Sequence, residues 1–154
     1  MLFRSTAAAT AGHFATMAAA IIDPDGSLVT YASAGHPPVL IRRAKTGTVE
    51  VPLPARGPAL GMMDRVTYPQ HQTSFEPGDI MLMYTDGLIE RRGEDLEEGI
   101  ARVAERLQAW QPGAPLSSFC DDLIASLGAE PQLDDMCVLA VSRPGPDRAQ
   151  GEES

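Results

Sequence analysis

Apolar runs separated by turn residues occupy the first two thirds of the chain and predict antiparallel β-strands. The turns are rich in Gly, Pro and Asp, which favour reversals of the backbone. The predicted strands span residues 14–22, 28–32, 39–42, 49–51, 66–75 and 80–84. The run 80–84 is apolar at every position, which is typical of a strand buried on both faces of a sheet.

In the last third of the chain apolar residues recur every three or four positions, a spacing that predicts helices. The stripe of the first predicted helix consists of Leu96, Ile100, Val103, Leu107 and Trp110. The second predicted helix spans 116–127, with Ser117 and Ser118 as possible caps and Gly128 just past its end. A further buried strand is predicted over 136–141. Strands, two helices and a closing strand together predict an α+β fold.

The composition is that of a globular protein with an acidic surface. The chain has 154 residues and a formal net charge of -9, which argues against binding to nucleic acid or insertion at anionic membranes. Its two cysteines, Cys120 and Cys137, are too few for a disulfide framework, so we expect free thiols and a cytoplasmic protein. Residues 1–13 are expected to form a short leader without the apolar core of a signal peptide, and residues 144–154 a loose tail.

Acidic residues stand at the ends of two predicted buried strands. Asp86 follows the strand 80–84, and the pair Asp134-Asp135 precedes the strand 136–141. If these strands are antiparallel neighbours, Asp86 and Asp134 meet at one edge of the sheet. Carboxylates there are costly unless they are paired, hydrogen-bonded or bound to a cation, and such a cluster suits Mg²⁺ or Mn²⁺. The alternative is an ordinary Asp-Gly turn and a solvated acidic loop.

Six short motifs follow one another along the chain. They are Phe-Ala-Thr-Met (14–17), Tyr-Ala-Ser-Ala-Gly-His-Pro-Pro (31–38), Gly-Pro-Ala-Leu-Gly (57–61), Phe-Glu-Pro-Gly-Asp (75–79), Tyr-Thr-Asp-Gly-Leu-Ile-Glu (84–90) and Asp-Asp-Met (134–136). Each motif alone is weak, but the ordered series closely resembles the metal-dependent protein phosphatases of the PPM type. The resemblance is to the bacterial branch of stage II sporulation protein E and the stress-response regulatory phosphatases, and it covers residues 14–143.

The resemblance implies an antiparallel β-sandwich flanked by helices. It also implies hydrolysis of phosphoserine or phosphothreonine by a water held between two Mn²⁺ or Mg²⁺ ions. Asp86 and Asp134 match metal ligands of the family, with Asp135 the less favoured position, and no catalytic residue is assigned. The implied substrate is a phosphorylated regulatory protein such as an anti-sigma factor antagonist, and an upstream sensor domain is an implied partner. His36 is interpreted as a packed loop residue rather than a general acid.

The family's N-terminal motifs, which supply the bridging aspartate and a Gly-His-Gly loop, have no counterpart in this sequence. We therefore expect residues 14–143 to form a partial phosphatase domain whose N-terminal part is missing. The chain is then the C-terminal part of a longer protein, the partner of a separate chain, or a degenerate domain kept for binding. The leading prediction is a serine/threonine phosphatase, and the alternative is a truncated or degenerate binding module without activity. In an unrelated β-rich domain with coincidental motifs, Asp86 and Asp134 would lie far apart.

Overall fold

The computed structural model describes residues 4–5, 14–52, 56–91, 93–127 and 135–144. They belong to two compact units, the first drawn from residues 1–38 and 52–76 and the second from 39–51 and 77–154. Most of the predicted leader, Gly128, Asp134 and the predicted tail beyond Pro144 lie outside the described residues. Within the described ranges, none of the helices combines the length and the hydropathy that a membrane span requires.

The described elements follow the predicted order of strands first, then two helices and a closing strand. In chain order they are β1 (Arg4–Ser5), β2 (Met17–Ile22), β3 (Leu28–Ala34), β4 (Leu40–Arg42), β5 (Val49–Glu50), β6 (Arg56–Gly57), β7 (Val66–Thr67), β8 (His71–Ser74), β9 (Ile80–Tyr84), α1 (Leu96–Gln108), α2 (Leu116–Leu127) and β10 (Val138–Ser142). A short 3₁₀ turn, Asp86–Leu88, follows β9.

Strand β3 is the centre of the first unit. It forms an antiparallel hairpin with β2, and it pairs antiparallel with β8 and, over two residues, parallel with β6. The hairpin confirms the two strands predicted on either side of the turn 23–27. The single strand predicted over 66–75 is wrong, because β7 and β8 are separate strands. Between them lies Pro69, which has no amide hydrogen to donate to a ladder.

The second unit holds a sheet of order β10-β9-β4-β5 in which all neighbours are antiparallel. Its helices pack on this sheet through most of their predicted apolar stripes. Two positions of the first stripe differ from the prediction, because Leu96 is 49% exposed and Trp110 lies past the end of α1. The buried cluster comprises Leu40, Ile80, Leu82, Tyr84, Leu88, Ile89, Val103, Leu107, Leu123 and Leu127. Helix α1 begins after Asp95, whose side chain accepts a hydrogen bond from the Glu97 N–H over 3.4 Å. The predicted α+β class, with mainly antiparallel sheets and flanking helices, is thus confirmed.

The closing strand differs from its prediction. Strand β10 lies at one edge of the described sheet, and Leu139 in its middle is 54% exposed, so it is not buried on both faces. An apolar run shows that a segment favours burial, but the number of its neighbours depends on the whole fold. The two serines proposed as caps of the second helix are also misplaced, because Ser117 and Ser118 lie inside the first turn of α2.

A buried ion pair fixes the chain just before β9. Asp79 is 1% exposed and accepts hydrogen bonds from Arg43 Nη1 over 3.0 Å and from the Ala44 N–H over 2.8 Å. Arg43 also pairs with Glu50, and these hydrogen bonds, the one to Glu50 foremost, raise the pKa of the guanidinium. In the same turn Gly78 adopts φ +86, a conformation that few other residues tolerate. The motif Phe-Glu-Pro-Gly-Asp therefore has a structural role here.

Candidate functional site

Asp86 stands where the central strand of the second unit ends. Its carbonyl accepts hydrogen bonds from the N–H groups of Ile89 at 2.8 Å and Glu90 at 2.9 Å, which close the 3₁₀ turn. Its Oδ1 accepts one hydrogen bond, from the Gly87 N–H at 3.1 Å, and Asp86 enters no salt bridge among the described residues. The backbone therefore holds Asp86 firmly, whereas the described residues give its carboxylate only the hydrogen bond from Gly87.

The neighbouring strand brings Asp135 to the same end of the sheet. Strands β9 and β10 are antiparallel, and Tyr84 lies opposite Val138. One residue past the end of β9, the Thr85 N–H donates to the Cys137 carbonyl over 3.0 Å. The end of one strand thus lies beside the start of the other, and the condition under which the sequence brings the two acidic ends together is met.

The Thr85 side chain forms hydrogen bonds with the segment that leads into β10. Its hydroxyl donates to the Asp135 carbonyl over 3.0 Å and accepts from the Cys137 N–H over 2.8 Å. This role of Thr85 was not predicted from the sequence. The sequence does contain an indication of it, because Thr85 lies between a continuously apolar strand and an Asp-Gly pair. A polar group at the end of a buried strand needs a hydrogen-bond partner.

Of the three predicted metal ligands, the structure describes Asp86 and Asp135. Asp86 and the exposed Asp135 lie at one end of the sheet, and Asp134 lies outside the described residues. In the described part of the chain no group of three or more His, Cys, Asp or Glu side chains is arranged to hold a metal ion. The described residues offer carboxylate oxygens at a half-buried strand end, a donor set that suits hard divalent cations. They fit part of a metal site.

His36 belongs to the first unit, where local hydrogen bonds hold it. Its Nδ1 lies 3.0 Å from Thr16 Oγ1, its N–H donates to Ser33 Oγ over 3.1 Å, and its carbonyl accepts from that hydroxyl over 3.0 Å. The preceding Gly35 has φ +66, and a Cβ there would come within 3.0 Å of Ala59. These contacts agree with the interpretation of His36 as a packed loop residue.

Comparison with known proteins places the chain in one family. The family model of stage II sporulation protein E (SpoIIE) matches residues 2–144. Protein IcfG of Synechocystis sp. is 32% identical over 133 residues, which are 84% of this chain and 21% of that protein. Phosphoserine phosphatase RsbU of Bacillus subtilis is 36% identical over 85 residues, 55% of this chain and 25% of that protein. The chain therefore spans a quarter or less of the length of these relatives.

Solved structures give the same result. The RsbU and RsbW domains of Rv1364c from Mycobacterium tuberculosis match with a TM-score of 0.71 and 30% identity, over 85% of this chain and 37% of that one. RsbX in complex with magnesium shares the fold, with a TM-score of 0.58 and 19% identity over 81% of this chain and 54% of that one. The family predicted from the six motifs is confirmed, and the chain belongs to the stage II sporulation protein E family of PPM-type protein phosphatases.

Proposed function

We propose that this chain is the metal-binding portion of a phosphatase that removes phosphate from phosphoserine or phosphothreonine on a regulatory protein. The observation that carries the proposal is the placement of Asp86 and Asp135 at one end of the sheet, with Thr85 joining their two strands. The name of the relative RsbU, a phosphoserine phosphatase, supports the substrate class.

Asp86 and Asp134 are the proposed metal ligands, with Asp135 as the less favoured position, and Mn²⁺ or Mg²⁺ is the proposed metal. A divalent cation supplies charge that polarises a phosphoryl oxygen and lowers the pKa of a bound water. Asp86 suits a ligand because its backbone is fixed by the 3₁₀ turn and its carboxylate accepts, among the described residues, only the Gly87 N–H. Thr85 is a positioning residue, since it orients the backbone that leads to Asp135.

Partner and location follow as parts of the same proposal. We propose a partner-switching protein, such as an anti-sigma factor antagonist, as the substrate, and an upstream sensor domain as the input. The net charge of -9 disfavours nucleic acid as a partner. Cys120 and Cys137 are free cysteines, which suits a reducing compartment, and we propose the cytoplasm.

Replacement of Asp86 tests the proposal. In the purified protein extended upstream by the N-terminal motifs that the family carries, Asp86→Asn keeps the shape of the side chain and removes its charge. We expect Mn²⁺ affinity and Mn²⁺-dependent phosphate release from a phosphoserine peptide to fall about tenfold or more. Asp64→Asn is the matched control, because Asp64 is an exposed aspartate of the first unit. It should leave both quantities unchanged.

The two measurements separate the phosphatase from the binding module. Mn²⁺ binding that depends on Asp86, without phosphate release, would favour a module that binds but does not hydrolyse. Unchanged Mn²⁺ affinity in Asp86→Asn, in a protein that unfolds like the wild type, would refute the assignment of Asp86.

A further inference from the structure

A cavity of about 630 Å³ lies within the second unit, near the start of β9. Its wall includes two arginines, Arg42 and Arg143, and apolar side chains such as Ile80 and Leu116. None of the described residues that line it is an Asp or a Glu, although the chain holds 21 acidic residues against 12 basic ones. Because Asp86 follows the opposite end of β9, about 20 Å of strand separates this cavity from the candidate metal site.

Arg42 is a buried cation without an ionised partner. The residue is 5% exposed, and no salt bridge among the described residues includes it. Its Nη2 donates to the Trp110 carbonyl over 3.3 Å, and its guanidinium carbon lies 5.3 Å from the centre of the Trp110 ring. Its Nε is buried, and the described part of the chain offers it no acceptor. Burial of a charge is costly unless an opposite charge compensates it. The described side chains therefore supply no opposite charge that compensates Arg42.

Two further features of the cavity favour an anion. Leu116, the first residue of α2, lines it, and the first turn of α2 contains no acidic residue, whereas α1 carries Glu97 and Glu98 in its first turn. The unpaired N–H groups and the dipole of a helix N-terminus attract negative charge. Trp110, whose ring lies beside Arg42, also lines the cavity, and its buried Nε1 has no acceptor among the described residues.

We propose that this cavity binds a small organic anion, with a carboxylate or phosphate group against Arg42 and an apolar portion against Ile80 and Leu116. The guanidinium of Arg42 is the donor for the charged group. The apolar wall excludes a hydrated inorganic ion in favour of a ligand with a hydrocarbon part. This site is independent of the proposed phosphatase chemistry.

Trp110 makes the binding directly measurable, because it is the only tryptophan of the chain. Hexanoate and hexyl phosphate serve as probes, and hexanamide is the neutral counterpart of hexanoate. We expect saturable changes in Trp110 fluorescence with both anions and at least tenfold weaker binding of hexanamide. Arg42→Met should weaken the anions at least tenfold, whereas Arg56→Met, at an exposed arginine of the first unit, should not.

A second variant tests the cavity independently, in case the Arg42→Met protein does not fold. Ser142→Phe places an aromatic ring at an exposed position on the wall of the cavity without changing charge, and it should also weaken hexanoate binding. Equal affinity for hexanoate and hexanamide would overturn the proposal. So would unchanged hexanoate affinity in both Arg42→Met and Ser142→Phe, with urea unfolding showing that each variant is folded.

Discussion

The Thr85 hydroxyl donates to the Asp135 carbonyl over 3.0 Å and so ties the end of β9 to the start of β10. The same oxygen accepts from the Cys137 N–H, so one side chain satisfies two backbone groups of the neighbouring strand. The position of the segment that carries the acidic pair therefore depends on a residue that is not itself acidic.

Thr85→Val tests this dependence. The substitution preserves shape and removes both side-chain hydrogen bonds, so we expect a loss of about 1–2 kcal/mol in the free energy of unfolding. We also expect Mn²⁺ affinity to fall about tenfold, because residues that orient ligands affect metal binding. Thr85→Ser keeps the hydroxyl and should restore both quantities. If Thr85→Val binds Mn²⁺ as the wild type does, Thr85 is a structural residue only.

The ion pair of Asp79 should dominate the stability of the turn before β9. Asp79→Ala leaves Arg43 without its buried partner and the Ala44 N–H without its acceptor, so we expect a loss of about 3 kcal/mol in urea unfolding. Glu50→Gln is the control at the exposed end of the same network, with an expected change below about 1 kcal/mol. Equal effects of the two variants would contradict the importance of burial.

Replacement of a glycine in α1 by alanine should lower the stability of the protein, although the same replacement usually stabilises a helix. Gly99 is buried, and a Cβ there would collide with the Ile89 carbonyl oxygen. Gly to Ala ordinarily stabilises a helix interior by about 1 kcal/mol, but here the overlap should reverse the sign and cost about 1–3 kcal/mol. Glu105→Ala, at an exposed position of the same helix, reports propensity alone. A stabilised Gly99→Ala protein would show that Ile89 moves freely.

The two cysteines should differ in their reaction with iodoacetamide. Burial, and secondly the charge of Asp121, raise the pKa of the Cys120 thiol, whereas Cys137 is exposed. Since the thiolate is the reactive form, we expect Cys137 to be alkylated first and Cys120 only at higher pH. The raised pKa also means that ionisation of Cys120 lowers stability once the pH exceeds the ordinary thiol value. Mass spectrometry of the alkylated protein, at a series of pH values, identifies the order.

Periodicity predicted the elements of the second unit well. The strand 80–84 and the helix beginning after Asp95 match the sequence prediction, because each combines a clear apolar pattern with a turn or cap at its start. The edge position of β10 was not predictable in this way, since the same apolar residues serve a central or an outer strand. Local patterns indicate burial, and topology decides its extent.

In the candidate sites, too, some features follow from local sequence patterns and others depend on the whole fold. From the sequence, Asp86 lies near the start of the next strand if the two strands are antiparallel neighbours, and the pairing of β9 with β10 meets that condition. The hydrogen bonds of Thr85 to this neighbouring segment depend on side-chain geometry, which the spacing of residues in the sequence does not reveal. Arg42 and Trp110 are 68 positions apart in sequence, so their contact in the cavity had no local indication.

Strand β9 is paired on both sides, by β4 and β10, and almost wholly buried. Its amide protons should consequently be among the slowest in the second unit to exchange with deuterium, because their release requires the sheet to open as a whole. Asp79 precedes this strand and Asp86 follows it, so both ends share one cooperative unfolding event. Slow exchange throughout β9 would mean that the candidate metal site keeps its backbone order for as long as the second unit stays folded.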